Sequence, residues 1–115
     1  MSYLLLIIEP TGQRHERGLE AGRAAYDRMV RYAESLQSRG LLIGMNSLKA
    51  DGARLTSNGG KPAVVDGPFT EAKELVGGYF LVDVATRAEA LALAAECPAS
   101  EWATVEVRET GPCYE

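Results

Sequence analysis

Gly77-Gly78-Tyr79-Phe80-Leu81-Val82-Asp83-Val84 is the stretch on which the fold turns. From the glycine pair onward it reads as a strand with apolar side chains on both faces, so both faces must be covered. The two glycines permit a tight return into it. Downstream, Thr86 with Glu89 three residues on forms a capping box, and the stripe Ala88, Leu91, Ala92 and Ala95 predicts a helix that Cys97-Pro98 ends. Thr104 to Glu109 then alternates Val105 and Val107 against Thr104, Glu106 and Arg108, the pattern of a half-buried strand.

Upstream, Asp51-Gly52 and Asn58-Gly59-Gly60 are turn signals that make Ala53 to Ser57 and Pro62 to Val65 the arms of a small hairpin. Over Arg23 to Ser38, the residues Tyr26, Met29, Val30, Ala33 and Leu36 recur at helical spacing, and Gly40 follows as a C-terminal cap. Leu41 to Ile43 resumes as strand, and Leu4 to Ile8 is the first strand. The order strand, helix, strand, hairpin, strand, helix, strand predicts an α+β fold with two helices on one face of a four-stranded sheet. Tyr3 to Ile8 and Tyr79 to Val84 remain apolar on the other face. A bare apolar sheet is avoided by soluble monomers, so a second copy is expected to pack there, sheet against sheet, as a homodimer.

With 115 residues, 46% hydrophobic and 24% charged, the chain matches one ordinary globular domain over residues 1–115. A chain of this size buries only about two thirds of the surface its unfolded form exposes, which makes self-association energetically useful. The net charge of -4 has the wrong sign for a phosphate backbone, so no nucleic-acid partner is expected. The apolar run Leu4 to Ile8 lacks a basic lead and stops at Glu9-Pro10, which predicts no membrane span and a cytoplasmic protein. Cys97 and Cys113 fit neither a disulfide framework nor zinc-type spacing, and neither has a neighbouring histidine to act as base. No Gly-rich phosphate cradle opens a helix, so no cofactor or metal is expected.

Asp66-Gly67-Pro68-Phe69-Thr70-Glu71-Ala72-Lys73-Glu74 carries two readings. In the first it is structural: Pro68 opens a short helix capped by Asp66 or Gly67, and Phe69 plugs the turn into the core. In the second, Asp66 and Lys73 are an acid and base pair, with Glu71, Tyr79 and Arg108 as ligand-binding groups around a cleft beside the sheet. Exposed charges are the default for Glu71 and Lys73, and core packing is an ordinary use of Tyr79 with Tyr3 and Met45. Arg14, Arg17 and Arg23 form a basic run diluted by Glu16 and Glu20, the pattern of a solvated face.

The Asp-Gly-Pro-Phe motif, the Glu71-Ala72-Lys73-Glu74 segment and Gly77-Gly78-Tyr79 closely resemble the YCII-related, or DGPF-domain, proteins. The resemblance extends over Tyr3 to Ile8, Gly40-Leu41-Leu42, Gly60-Lys61, Cys97-Pro98 and Val105 to Arg108. It implies a ferredoxin-like βαββαβ sandwich with an added hairpin that dimerises as an α/β barrel. Members are described as small-molecule enzymes, some with a His and Asp pair. Others are encoded beside or fused to sigma factors, which implies a ligand-sensing or protein-binding module. This chain departs from the His and Asp pattern, since its only histidine is His15, in the polar segment Thr11 to Arg17. The expectation is a small-molecule enzyme using Asp66 and Lys73, with the non-catalytic module as the alternative.

Overall fold

Alternation along β1 (Ser2–Pro10) turns Tyr3, Leu5, Ile7 and Glu9 to one face, all buried, and leaves Leu4, Leu6 and Ile8 half-buried on the other. The computed structural model of the chain describes residues 1–115. After β1 come α1 (Gln13–Ser38), β2 (Leu42–Ser47), β3 (Ala53–Asn58), β4 (Lys61–Asp66), β5 (Glu74–Asp83) and α2 (Arg87–Glu96). A short 3-10 turn over Pro98–Glu101 leads into β6 (Thr104–Glu109). The main sheet has the order β2-β5-β1-β6, and β3-β4 forms a separate two-stranded ribbon. All its pairings are antiparallel, an arrangement compatible with a ferredoxin-like fold. The sheet is open and does not close into a barrel within the chain. No helix is long and apolar enough to cross a membrane.

The core lies between the helices and the Leu5 face. Leu5, Phe80 and Val82 from the sheet meet Tyr32, Ala33 and Leu36 of α1 and Ala90, Leu93 and Ala94 of α2. Tyr32 stands edge-on to Phe80, with ring centroids 5.1 Å apart. Its hydroxyl donates to Leu93 O at 2.6 Å, joining the two helices across the sheet. Burial, reinforced by charges nearby, pushes that hydroxyl above its ordinary value, so it remains a donor at neutral pH. Thr86 caps α2 by accepting the Glu89 N–H at 3.2 Å, and the Glu89 carboxylate reaches back to Ala85 N.

Four local expectations are corrected. The first helix begins at Gln13, ten residues before Arg23, so His15 lies on a helix and not in a loop. Tyr26, expected on its buried stripe, is exposed, because only the C-terminal half of α1 presses on the sheet. On α2 the buried stripe is Ala90, Leu93 and Ala94, while Leu91 is exposed. Alanine occupies so many positions of α2 that its sequence marks no face strongly. No helix starts at Pro68. The Gly67–Pro68 peptide is cis, and Asp66 ends β4 opposite Ala53.

The Asp-Gly-Pro-Phe motif instead closes the base of the ribbon. Gly67 N–H donates to Gly52 O at 2.7 Å, and a Cβ on Gly67 would stand 2.8 Å from that same oxygen. Phe69 is only half-buried and lies outside the core; its ring is covered by the Arg54 guanidinium at 3.8 Å.

Candidate functional site

Where α1 starts, the chain meets a problem in electrostatics. Glu9 continues the buried alternation of β1, so its carboxylate falls beneath the helix with a side chain only 8% exposed. A buried carboxylate needs a partner, and five residues on, the first turn of α1 supplies Arg14. Its Nε donates to Oε2 at 2.9 Å and Nη2 to Oε1 at 2.7 Å, a two-pronged pairing. Two further N–H groups reach Leu48 O at 2.7 Å and Gly77 O at 3.2 Å. One guanidinium thus ties β1, the end of β2 and the start of β5 together.

Gly77 makes this knot sterically feasible. The β1–β5 register slips between Ile7, opposite Gly78, and Ile8, opposite Val76, so Gly77 is the extra residue of a bulge. A Cβ there would lie 1.7 Å from Glu9 Oε1. Gly78 is constrained from the other side, 2.8 Å from Asn46 O by the same construction. The glycine pair is therefore explained by close approach of neighbours, a stronger reason than an easy turn.

Beyond Arg14 the helix breaks at Gly18, whose φ of 83° and ψ of 167° are not helical, and the following turns bury no residue until Tyr32. A cleft of about 350 Å³ opens beneath them. This lies within the range of small-molecule sites, on the order of 300–1,000 Å³. Ile7, Met29, Val30, Met45, Phe80 and Trp102 make its apolar wall. Glu9, Arg14, Arg17 and Arg23 supply its charges. Arg17 donates to Gln13 Oε1 at 2.8 Å and lies 5.5 Å from the Trp102 ring, while Arg23 has no hydrogen-bond or ion-pair partner. The lining contains neither histidine nor cysteine. Cys97 is buried in the core, where burial pushes its thiol up and away from the reactive thiolate, and Cys113 is exposed near the C-terminal end.

The residues singled out from sequence lie mostly elsewhere. Asp66 and Lys73 are exposed at the ribbon base and in the loop before β5; neither lines the cleft, and no hydrogen bond or ion pair joins them. Lys73 takes part through its backbone, accepting the Thr11 N–H at 2.9 Å. Glu71 pairs loosely with Arg54 at 3.8 Å. Arg108 lies opposite Leu4, on the face away from the helices. Tyr79 stands at a border: it contributes to the cleft lining, yet its ladder position opposite Leu6 belongs to that second face, and its hydroxyl accepts from Asn46 Nδ2 at 3.0 Å.

Glu9 and Arg14 were not singled out as a pair, although one signal was available. An acidic residue in register with Tyr3, Leu5 and Ile7 breaks an otherwise apolar alternation, and a break of that kind asks for a cation nearby.

A search of the curated proteins finds no match to the chain. The family model described as the YCII-related domain matches residues 1–112. With nearly all of its 115 residues covered, from the strand that carries Glu9 to the one that ends at Glu109, the chain belongs to the YCII-related domain family.

Proposed function

We propose that this YCII-related protein is a ligand-binding module whose small-molecule site is the cleft beneath the first half of α1. The cavity of about 350 Å³, walled by apolar side chains and floored by a neutralised ion pair, is the observation that carries the reading. Binding without turnover is favoured by the lining itself. It offers no histidine or thiol, and its one carboxylate is engaged on both oxygens by Arg14. A sensing role beside a regulatory protein such as a sigma factor would use the same cleft.

A thermal-shift screen against metabolites tests this, run beside Gly22→Leu. Gly22 lines the cleft with open space where a side chain would go, so leucine fills the site and also raises helix propensity by about 0.5–1 kcal/mol. A ligand at a hundred times its Kd adds about 2.7 kcal/mol of stability, and Gly22→Leu abolishes that gain. Hits that survive in Gly22→Leu would overturn the assignment.

The second reading is an enzyme using Asp66 and Lys73, and it is favoured by one observation: both are exposed and free of ion-pair partners. Glu71, Tyr79 and Arg108 would then bind substrate. Its mark is a hit retained in Gly22→Leu and lost in Asp66→Asn or Lys73→Ala.

A homodimer through the second sheet face completes the proposal. Leu4, Leu6, Ile8, Tyr79 and Leu81 share that face and stay half-exposed in one chain, and burial against a copy would remove this patch from water. Light scattering at micromolar concentration should return twice 12.4 kDa; the mass of one chain would refute the dimer.

A further inference from the structure

We infer that the ligand of the α1 cleft is an organic anion with an apolar body, its charged head held by Arg17 and Arg23. This rests on the cleft being a small-molecule site and adds its chemical class. The charges of the lining are three guanidinium groups against one carboxylate. Glu9 and Arg14 cancel through their two-pronged pair, and four of the five N–H groups of Arg14 are committed to protein oxygens. Two positive charges remain at the cleft, in a protein whose net charge is -4. Glu16 and Glu20, which dilute this basic run in sequence, are exposed and outside the lining. The cleft is thus lined by half-buried Arg17 and exposed Arg23 and by neither glutamate.

Arg17 and Arg23 are available in a way Arg14 is not. Arg17 is oriented by Gln13 and by the Trp102 ring, and neither contact neutralises it. Arg23 has no polar partner at all. Guanidinium forks match carboxylate, sulfonate and phosphate oxygens two at a time. Beside these charges, Met29, Val30, Met45, Phe80 and Trp102 line the cleft with surface that only an apolar body satisfies. Methionine at two of those positions adapts to bodies of different outline. At about 30 Å³ per water, the cavity holds roughly a dozen waters that such a body would displace.

The test uses three probes with one body and different heads: 2-naphthoate, 2-naphthylmethanol and 2-naphthylmethylammonium, titrated calorimetrically into the full chain at pH 7. The expected result is that naphthoate binds at least tenfold tighter than the alcohol, with the ammonium weakest. Arg17→Gln combined with Arg23→Gln removes this preference while leaving the alcohol's Kd within about threefold, and its unfolding curve without ligand reports whether the fold is intact. Raising the salt concentration weakens naphthoate selectively. Equal affinity for the three heads, tighter ammonium binding, or a preference that persists in the double variant overturns the anion assignment while the cleft stands. If none of the three binds, or all bind equally well to Gly22→Leu, the cleft reading falls with it.

Discussion

The two halves of α1 lie over one sheet and do opposite work. From Tyr32 onward the helix presses Tyr32, Ala33 and Leu36 onto Phe80 and Val82, and nothing separates the layers. Before Met29 it buries no residue, carries Leu19 and Tyr26 in solvent, and roofs the cleft. The difference follows from side-chain size and the break. Gly18 interrupts the helix and Gly22 offers no side chain to fill the gap, whereas the C-terminal half brings an aromatic ring and a leucine. A single helix can thus supply stability at one end and a site at the other, because each turn meets the sheet through its own residues.

The largest effect that would break this contrast is in the core. Leu36 is fully buried, so Leu36→Ala should cost about 2–5 kcal/mol in urea unfolding. Leu19, 78% exposed, should change stability by less than about 0.5 kcal/mol when cut to alanine. Equal losses at the two positions would mean that the first half of α1 packs down in solution and the cleft is closed.

The knot at the cleft floor should respond next. Gly77→Ala drives a methyl group into the Glu9 carboxylate, for about 1–3 kcal/mol. Glu9→Ala strands Arg14, which is 37% exposed and so partly hydrated, and should cost about 1–3 kcal/mol, less than a fully buried pair. The combination should cost less than the two single losses added together, since removing the carboxylate removes the obstacle. Strict additivity would show that Gly77 is required for its backbone alone.

The smallest effect concerns Arg28, midway along α1, which pairs with Glu101 in the 3-10 turn. Hydrogen bonding from Arg28 holds the Glu101 carboxyl below its ordinary range, against a weaker opposing desolvation, and the exposed pair is screened by solvent. A depressed carboxyl stabilises the fold above its unfolded value and loses that contribution as pH falls through the folded one. Glu101→Gln should therefore lower Tm slightly at pH 7, with the difference from the parent vanishing below about pH 4 and in about 1 M salt. A difference that survives both conditions would point to loss of the Arg28 guanidinium from its place over the Trp102 ring, 5.5 Å from the centroid.

The ribbon and its motif show how far local signals carry. Asp51-Gly52 and Asn58-Gly59-Gly60 announced β3 and β4 within a residue at each end, because turn chemistry is local. The reading of Pro68 as a helix start failed for a non-local reason: Gly67 is fixed by Gly52, fifteen residues back, across the ribbon. The first turns of α1 carry no apolar stripe, so helical spacing marks the helix only from Arg23 although it starts at Gln13. Its first turn is held by Arg14 on Glu9 and by Gln13, which donates to Trp102 O at 2.7 Å.

Alternation and helical spacing by themselves determined the order of elements, the β6 span from Thr104 to Glu109, and the two apolar faces of β1 and β5. Those are properties of consecutive residues, each reporting its own burial. Only the tertiary structure decided that Glu9 and Arg14 meet Gly77, 63 residues beyond the arginine, and that half-buried Arg17 and exposed Arg23 line a cavity. Strand register and the bulge at Gly77 set those encounters, and neither is encoded in the spacing of any one segment.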